Sequence, residues 1–250
     1  MSCSLLKCQY QTRKCGWKKS AEFYKFTNFP NCVGSVYGKH IRMQCPPNTG
    51  SDYFNFKKYF STVLMAVADA NYYFTAIFVG SYGREGDSYV FKKSNFWKRF
   101  TAGQLDLPGD KPLPSNDTRK GTPVPHVLLG DKAFGLSKNL LRPYSSRNLS
   151  HEKRIYRHAR ARRVVECTFG ILSNKWHVLH SFIHSFILVH PNFASITVQC
   201  CCVLHNFVTQ RDGWVFWRYS VMWITRRTRI GERRRTFTKN RSEGNVLWIF

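Results

Sequence analysis

Two carboxylates are the residues of this chain whose positions suggest chemistry. Acidic residues are scarce, with 14 Asp and Glu against 39 Lys and Arg among 250 residues. Asp131 follows a short apolar run, and Glu166 stands at the end of an arginine cluster, in the sequence HARARRVVECTFG. Carboxylate oxygens of this kind hold Mg²⁺ beside substrate phosphates. The pair therefore predicts a divalent-cation site that acts on a phosphate polymer.

Each of these carboxylates also has a structural interpretation, which the residues themselves leave open. Asp131 has Gly130 and Gly135 nearby, and aspartate is a common turn residue. Glu166 can pair with Arg162 one helical turn before it, which stabilises a helix by only about 0.3 kcal/mol. On helix geometry, however, Glu166 flanks an apolar stripe near the edge of the core. A carboxylate there needs an arginine or a cation as its partner.

The elements that would position these residues alternate between strands and helices. β-branched and aromatic runs predict strands at 32–45, two strands within 59–80 joined by the turn DAN, and a buried strand at 127–129. Helices are predicted at 89–101, at 151–176 and from Pro191 onward, with a polar loop over 106–126. This order predicts an α/β fold with a mixed central sheet flanked by helices. Asp131 then follows the carboxyl end of a strand, where open α/β sheets bind ligands.

Apolar spacing supports the last two helices. One stripe consists of Ala161, Val165, Phe169, Leu172 and Trp176. The other consists of Ile196, Cys200, Val203, Leu204 and Phe207. Spacings of three and four place each set on one helical face, so we expect both stripes to face the core.

The formal charge of +25 indicates a polyanionic partner. Within the predicted helix 151–176, phosphate contacts are predicted for Arg157, Arg160, Arg162 and Arg163, and a solvated helix face is the compatible alternative. No run approaches the roughly 18 apolar residues that a membrane span requires. Composition divides the chain into a basic segment without periodicity, 1–27, a central domain, 28–212, and a basic irregular tail, 213–250.

The cysteines and histidines do not predict a zinc site. The nine cysteines include no C-x-x-C pair, which fits an intracellular, reducing compartment. Cys3, Cys8 and Cys15 lack a suitably spaced fourth ligand, and the adjacent Cys200, Cys201 and Cys202 are predicted to be buried thiols. The histidine cluster has no acidic or cysteine ligand beside it and is expected to be partly exposed; its members are His177, His180, His184 and His190.

Five blocks of the sequence, taken in order, resemble a known family. They are NFPNCVGSVYGKHIRMQCPPNTGS, YFNFKKYFSTVLMAVADANYYFTAIFVGSYG, LLGDKAF, RARRVVECTFGIL and CCVLHNF. Together they look like the Harbinger (PIF) transposase-derived nucleases of the DDE endonuclease superfamily, over roughly residues 24–212. The resemblance implies an RNase H-like core in which three carboxylates hold Mg²⁺, or Mn²⁺, for attack on a DNA phosphodiester.

The resemblance assigns roles to individual residues. Asp131 matches the second carboxylate of the family and Glu166 matches its glutamate. The first carboxylate is absent, because Tyr37 in GSVYGKH stands where the family has aspartate. A phenol with a pKa near 10 is a poor Mg²⁺ ligand at neutral pH. Asp69 also matches a family motif and would join a metal site only if its hairpin end folded over it.

The resemblance therefore predicts a metal-dependent DNA endonuclease core that is impaired in this copy. The alternative is a catalytically inactive domain that binds DNA or a protein partner; a weaker third hypothesis is a non-functional product with a scrambled tail. A DNA substrate implies a nuclear location, with the cytoplasm as a second one. The helix-turn-helix-like region usual in the family has no counterpart before Asn28, so a separate DNA-binding partner protein is also expected.

Overall fold

The fold is built on one mixed sheet. The computed structural model describes residues 13–105, 107–114, 121–144, 160–179 and 190–212. The strands are β1 Cys32–Arg42, β2 Ser61–Ala68, β3 Phe74–Tyr82, β4 Lys111–Pro112, β5 Pro123–Val124, β6 Val127–Leu129 and β7 Leu140–Leu141. The helices are α1 Arg13–Thr27, α2 Asp87–Lys93, α3 Asn95–Thr101, α4 Arg160–Lys175 and α5 191–212, with a 3₁₀ turn at His177–Leu179.

The strand order confirms the predicted fold class. Five strands pair in the order β3-β2-β1-β6-β7. The three strands β1, β2 and β3 are antiparallel, whereas β6 and β7 run parallel to β1. Such a mixed sheet flanked by helices is consistent with an RNase H-like nuclease fold. The pair β4–β5 forms a separate two-stranded ladder within the predicted loop.

Strand β2 organises the core, because it is buried along its whole length. Its alternate residues Leu64, Ala66 and Ala68 pack on one face of the sheet with Val165 and Phe169 of α4. On the opposite face, the intervening residues pack in a second cluster with α2 and α3; they are Val63, Met65 and Val67. This arrangement explains why 63–68 reads as an uninterrupted apolar run, since a strand covered on both faces has no polar side.

The predicted hairpin and the predicted α4 stripe are both confirmed. β2 and β3 are joined at residues 69–73, as the turn sequence DAN indicated. Of the α4 stripe, Ala161, Val165, Phe169 and Leu172 are buried and Trp176 is partly buried. The predicted helix 89–101 is instead two short helices, because the hydroxyl of Ser94 caps α3 by accepting the Trp97 N–H at 3.2 Å.

The predicted core face of α5 is wrong. Four members of the predicted stripe are exposed: Ile196, Cys200, Leu204 and Phe207. The buried face consists of Ala194, Val198, Cys201, Cys202 and His205. Both faces carry apolar residues at helical spacing, so periodicity alone did not distinguish them. The prediction of buried thiols accordingly holds for Cys201 and Cys202 but not for Cys200.

The segment predicted to lack periodicity contains the helix α1. Helix α1 is attached to the rest of the fold through Phe23, which is fully buried, and through Lys19, whose Nζ lies 3.4 Å from Oδ2 of Asp69. Asp69 begins the hairpin turn, where its Oδ1 accepts the backbone N–H groups of Asn71 and Tyr73. Burial raises the pKa of Asp69, and Lys19 and these hydrogen bonds oppose that rise. One buried carboxylate therefore organises the hairpin turn and anchors α1.

Contacts divide the chain into two units, Met1–Phe207 and Val208–Phe250. The sheet and the packing on its two faces belong to the first unit. The predicted tail, 213–250, lies outside the described residues. In the described part of the chain, no helix combines the length and the apolar character needed to cross a membrane.

The Lys19–Asp69 pair gives a stability prediction. Asp69→Asn preserves an oxygen for the turn but leaves Lys19 facing a neutral group, and we expect it to lower the free energy of unfolding by about 3 kcal/mol. Lys19→Met combined with Asp69→Asn should recover most of that loss, since replacing both charges removes the unbalanced one. Urea denaturation of the two single variants and the double variant measures this coupling. Additive losses in the double variant would contradict it.

His205 gives a pH prediction. Its Nε2 lies 2.9 Å from the carbonyl oxygen of Tyr72, and burial lowers its pKa from 6.5 to about 4. The folded protein thus favours the neutral ring, so this stabilisation is complete above about pH 6.5 and is lost progressively as the pH falls from about 6.5 to about 4. Between pH 7 and pH 5 the loss amounts to about 2 kcal/mol.

We therefore expect His205→Gln to be less stable than the wild type at pH 7 and to lose less stability by pH 5. Gln retains an N–H that can donate to the Tyr72 carbonyl, but it does not titrate. Some pH dependence should persist, since burial also lowers the pKa of His40 to about 4. Urea denaturation at the two pH values tests this, with the exposed His177→Gln as the control. Equal pH dependence of His205→Gln and the control would be the contrary result.

Candidate active site

The pairing of β1 with β6 brings the first two predicted site residues to the same level of the sheet. Ser35 of β1 pairs with Leu129 of β6 in the parallel ladder. Tyr37 and Asp131 each lie two residues beyond that pair. Tyr37 continues along β1, whereas β6 has already ended, so Asp131 lies at its carboxyl end. The site thus occupies the edge where open α/β sheets bind ligands.

A side-chain hydrogen bond brings Glu166 to the same place. The Ser35 hydroxyl, fully buried, accepts the backbone N–H of Val165 at 3.1 Å. This contact fixes one turn of α4 against β1 next to the Ser35–Leu129 pair. Glu166 is the next residue on the helix and points away from the buried stripe that contains Val165. The carboxylate therefore reaches the site from α4, while Tyr37 reaches it from β1.

Arg162 joins the two carboxylates. Its Nη1 lies 3.4 Å from Oδ1 of Asp131 and also 3.4 Å from Oε1 of Glu166. The two carboxylate oxygens are therefore no further apart than twice that distance. The sequence left open whether Glu166 pairs with Arg162 or with a second carboxylate around a cation. In the structure Glu166 and Asp131 share one positive group.

Tyr37 lies within the electrostatic range of this group. It is half-buried and packs against Phe169 with a ring-centre separation of 6.3 Å. Burial raises the pKa of the Tyr37 phenol, and the carboxylates of Asp131 and Glu166 raise it further, with Arg162 opposing them. The phenol therefore remains protonated at neutral pH and presents a hydroxyl, not an anion, to the two carboxylates.

A third carboxylate near the site, Asp87, was not anticipated from the sequence. It begins α2 and lies over Gly38, where a Cβ would overlap its carboxylate. Burial raises the pKa of Asp87, and the negative charge of Asp131 raises it further. None of the described residues donates a hydrogen bond to Asp87. Its sequence context, glycine followed by an acidic residue opening a helix, is too common to have singled it out.

Lys39 was also missed. It lies two residues after Tyr37 on the same face of β1, and its Nζ donates to the Ser173 hydroxyl at 2.7 Å. Burial lowers the pKa of Lys39 to about 8, and the nearby Lys57 lowers it as well. A lysine in a chain with 39 basic residues carries no sequence signal of its own. Lys39 thus contacts α4 about two helical turns beyond Glu166.

The remaining predicted site residues have the following places. Asp69 lies in the hairpin turn with Lys19, and none of its described hydrogen bonds or ion pairs involves Asp131 or Glu166. Arg163 is exposed on α4. Arg157 lies outside the described residues, and only the backbone of Arg160 is described. Of the histidine cluster, His177 and His190 are exposed, whereas His180 and His184 fall outside the described ranges.

The donor set fits a divalent cation incompletely. Asp131 and Glu166 supply the hard oxygen atoms that Mg²⁺ prefers, and both reach one point, now taken by the nitrogen of Arg162. Among the described residues, however, no three His, Cys, Asp or Glu side chains converge closely enough to hold a metal ion. Tyr37 brings a neutral phenol, not a carboxylate, to the level of Asp131. Asp131 and Glu166 are thus the two carboxylates that converge on one point of the site.

Comparison with known proteins identifies a family for this chain. The family model described as DDE superfamily endonuclease matches residues 36–206, which include Tyr37, Asp131 and Glu166. No curated protein matches the chain, and no solved structure does. Members of this superfamily generally use divalent metal ions and act on DNA. The matched segment covers more than half of the sequence, and the chain belongs to the DDE superfamily of endonucleases.

Proposed function

We propose that this chain is the nuclease core of a Harbinger-type transposase, which cleaves DNA phosphodiesters with Mg²⁺ or Mn²⁺ and is impaired by Tyr37. The observation that carries the proposal is the shared contact of Asp131 and Glu166 with one nitrogen of Arg162. Two carboxylates within reach of the same positive charge are a suitable arrangement for one divalent cation. The net charge of +25 supports a polyanionic substrate, since a positively charged protein attracts phosphates.

Each residue of the site has a defined part in this proposal. Asp131 and Glu166 hold the cation. When bound, a divalent cation polarises the phosphoryl group and lowers the pKa of a water nucleophile. Arg162 lies beside the carboxylates and offers N–H groups to phosphate oxygens. Tyr37 stays protonated and can donate a hydrogen bond, but it adds no negative charge to retain the cation.

Metal-dependent cleavage is the direct test. We expect weak Mn²⁺-dependent nicking of supercoiled DNA by the full chain, because one ligand is missing. Asp131→Ala and Glu166→Ala should each abolish it, while Asp110→Ala, which removes an exposed carboxylate elsewhere, should leave it unchanged. Gel assays with Mn²⁺, with Mg²⁺ and with chelator measure the activity. Cleavage that survives Asp131→Ala would show that this site does not perform it.

Restoring the third carboxylate is the second test. We expect Tyr37→Asp to raise Mn²⁺-dependent cleavage by at least about tenfold, since loss of even an indirect metal partner typically costs that much. The new carboxylate would face Asp131, Glu166 and Asp87, so Tyr37→Asp should also melt at a lower temperature without metal and regain stability when Mn²⁺ is added. Tyr37→Phe, which removes only the hydroxyl, should gain neither property. No increase in cleavage or Mn²⁺ stabilisation with Tyr37→Asp would contradict the lost-ligand explanation.

An inactive DNA-binding or protein-binding domain is the second candidate function. The observation that favours it is the absence, among the described residues, of a convergent set of three metal ligands. It predicts salt-dependent DNA binding in chelator, no cleavage with any divalent ion, and no effect of Tyr37→Asp. Fluorescence anisotropy with labelled DNA over a range of salt concentrations, run beside the cleavage assay, separates the two candidates.

A further inference from the structure

Arg162 is tied to the site by an incomplete set of contacts. A guanidinium has five N–H donors and usually pairs with a carboxylate through two of them. Arg162 instead uses a single nitrogen, Nη1, for both Asp131 and Glu166, at the long distance of 3.4 Å in each case. Its Nε is buried and has no hydrogen-bond partner among the described residues. Arg162 therefore fills only part of the hydrogen-bonding capacity of each carboxylate. The two carboxylates in turn engage only one of its nitrogen atoms.

The same contacts show where Arg162 lies relative to a cation. A metal ion held by Asp131 and Glu166 would take the place of the Arg162 nitrogen, because that nitrogen is the point which both carboxylates reach. Mg²⁺ binds oxygen ligands at about 2.0–2.1 Å, so the two carboxylates would have to close around it. A guanidinium group and a divalent ion cannot occupy that place together.

We infer that Arg162 is the built-in cation of the metal-free site, and that it exchanges its two carboxylates for a DNA phosphate when a divalent ion binds. This inference rests on the proposed metal-dependent function and assigns Arg162 a positioning role within it. Without metal, Arg162 screens Asp131 from Glu166 and keeps the two together. With metal, its guanidinium is released beside the ion, and the unused N–H groups fit the paired oxygens of a phosphate.

The exchange is feasible because the contacts of Arg162 are weak. Its side chain is 27% exposed, and those of Asp131 and Glu166 are 24% and 41% exposed, so water screens both ion pairs. A short, buried, bidentate pair would resist displacement. Arg162 is also anchored on α4 between Ala161, which is fully buried, and the exposed Arg163. Its backbone can therefore stay in place while the side chain changes partner.

The chain offers a matched control in Arg163. It is the next residue on α4 and carries the same charge, but none of its described ion pairs involves Asp131 or Glu166. Arg162→Gln and Arg163→Gln each remove one positive charge from the same helical turn. A difference between them reports direct competition with the metal, whereas a shared change reports the general electrostatic field.

Metal affinity is the first measurement. Calorimetric titration of the metal-free full chain with MnCl₂ should give about three- to tenfold tighter binding for Arg162→Gln than for Arg163→Gln, since a competing cation has been removed. Arg162→Lys, which keeps the charge, should bind Mn²⁺ about as weakly as the wild type. If Arg162→Gln folds poorly, Arg162→Lys can still be measured, because it keeps a positive group between the carboxylates. Equal Mn²⁺ affinity of Arg162→Gln and Arg163→Gln would overturn the inference.

DNA binding is the second measurement and tests the other half of the exchange. Fluorescence anisotropy in chelator and in CaCl₂, which takes the same oxygen ligands, gives the increase in DNA affinity caused by metal. Arg163→Gln should retain that increase, whereas Arg162→Gln should lose most of it because the released guanidinium is missing. If Arg162→Gln retains the full increase, Arg162 does not transfer to phosphate and the inference fails.

These results also separate the inference from the proposed function. If the wild type binds Mn²⁺ through Asp131 but Arg162→Gln binds it no more tightly, the exchange is wrong and the metal site stands. If only Arg162→Gln binds Mn²⁺, the exchange is supported and the natural chain is held inactive by its own arginine. If neither protein binds Mn²⁺, both the proposed function and the exchange are wrong.

Discussion

The register between β1 and β6 is the constraint on which the site depends. It sets Tyr37 level with Asp131, two residues beyond the Ser35–Leu129 pair. A slip of one residue would turn Tyr37 to the opposite face of the sheet, because side chains alternate along a strand. Two further contacts fix the position of β1. Strand β2 pairs with its other edge, and the Ser35 hydroxyl accepts the backbone N–H of Val165 on α4. One buried serine thus links the sheet geometry to the approach of Glu166.

The few carboxylates of this basic chain are neutralised in two different ways. Asp69 is buried, and its Lys19 partner and two backbone N–H groups make it part of the scaffold. Asp131 and Glu166 are partly exposed and share Arg162 through long contacts. All three ion pairs measure 3.4 Å, so burial makes the difference: a buried pair stabilises the fold, whereas partly exposed carboxylates remain accessible to other ligands. The same residue type therefore serves structure at one site and is available for binding at the other.

The sequence predicted the elements that are marked by local patterns. It did not predict the features that depend on contacts between residues distant in the chain. The hairpin, the strand 127–129 and the buried stripe of α4 were predictable because each has a local signal: a turn sequence, a short apolar run and a helical repeat, respectively. The inward face of α5 was not, since both of its faces are apolar. Asp87 was not predictable either, because its proximity to Asp131 arises from the lack of a side chain at Gly38, which only the packed structure reveals.

In the proposed site, Tyr37 has opposite effects on the stability of the metal-free fold and on metal binding. Three carboxylates at one point repel one another unless a cation is present, so an intact metal site lowers the stability of the metal-free protein. We propose that Tyr37 stands in place of one of them, which removes part of that repulsion, and its ring also packs against Phe169. A single arginine can then balance the two remaining carboxylates. In the proposed function, the substitution that weakens metal binding therefore favours the metal-free fold, and the architecture of the site can persist without a third carboxylate.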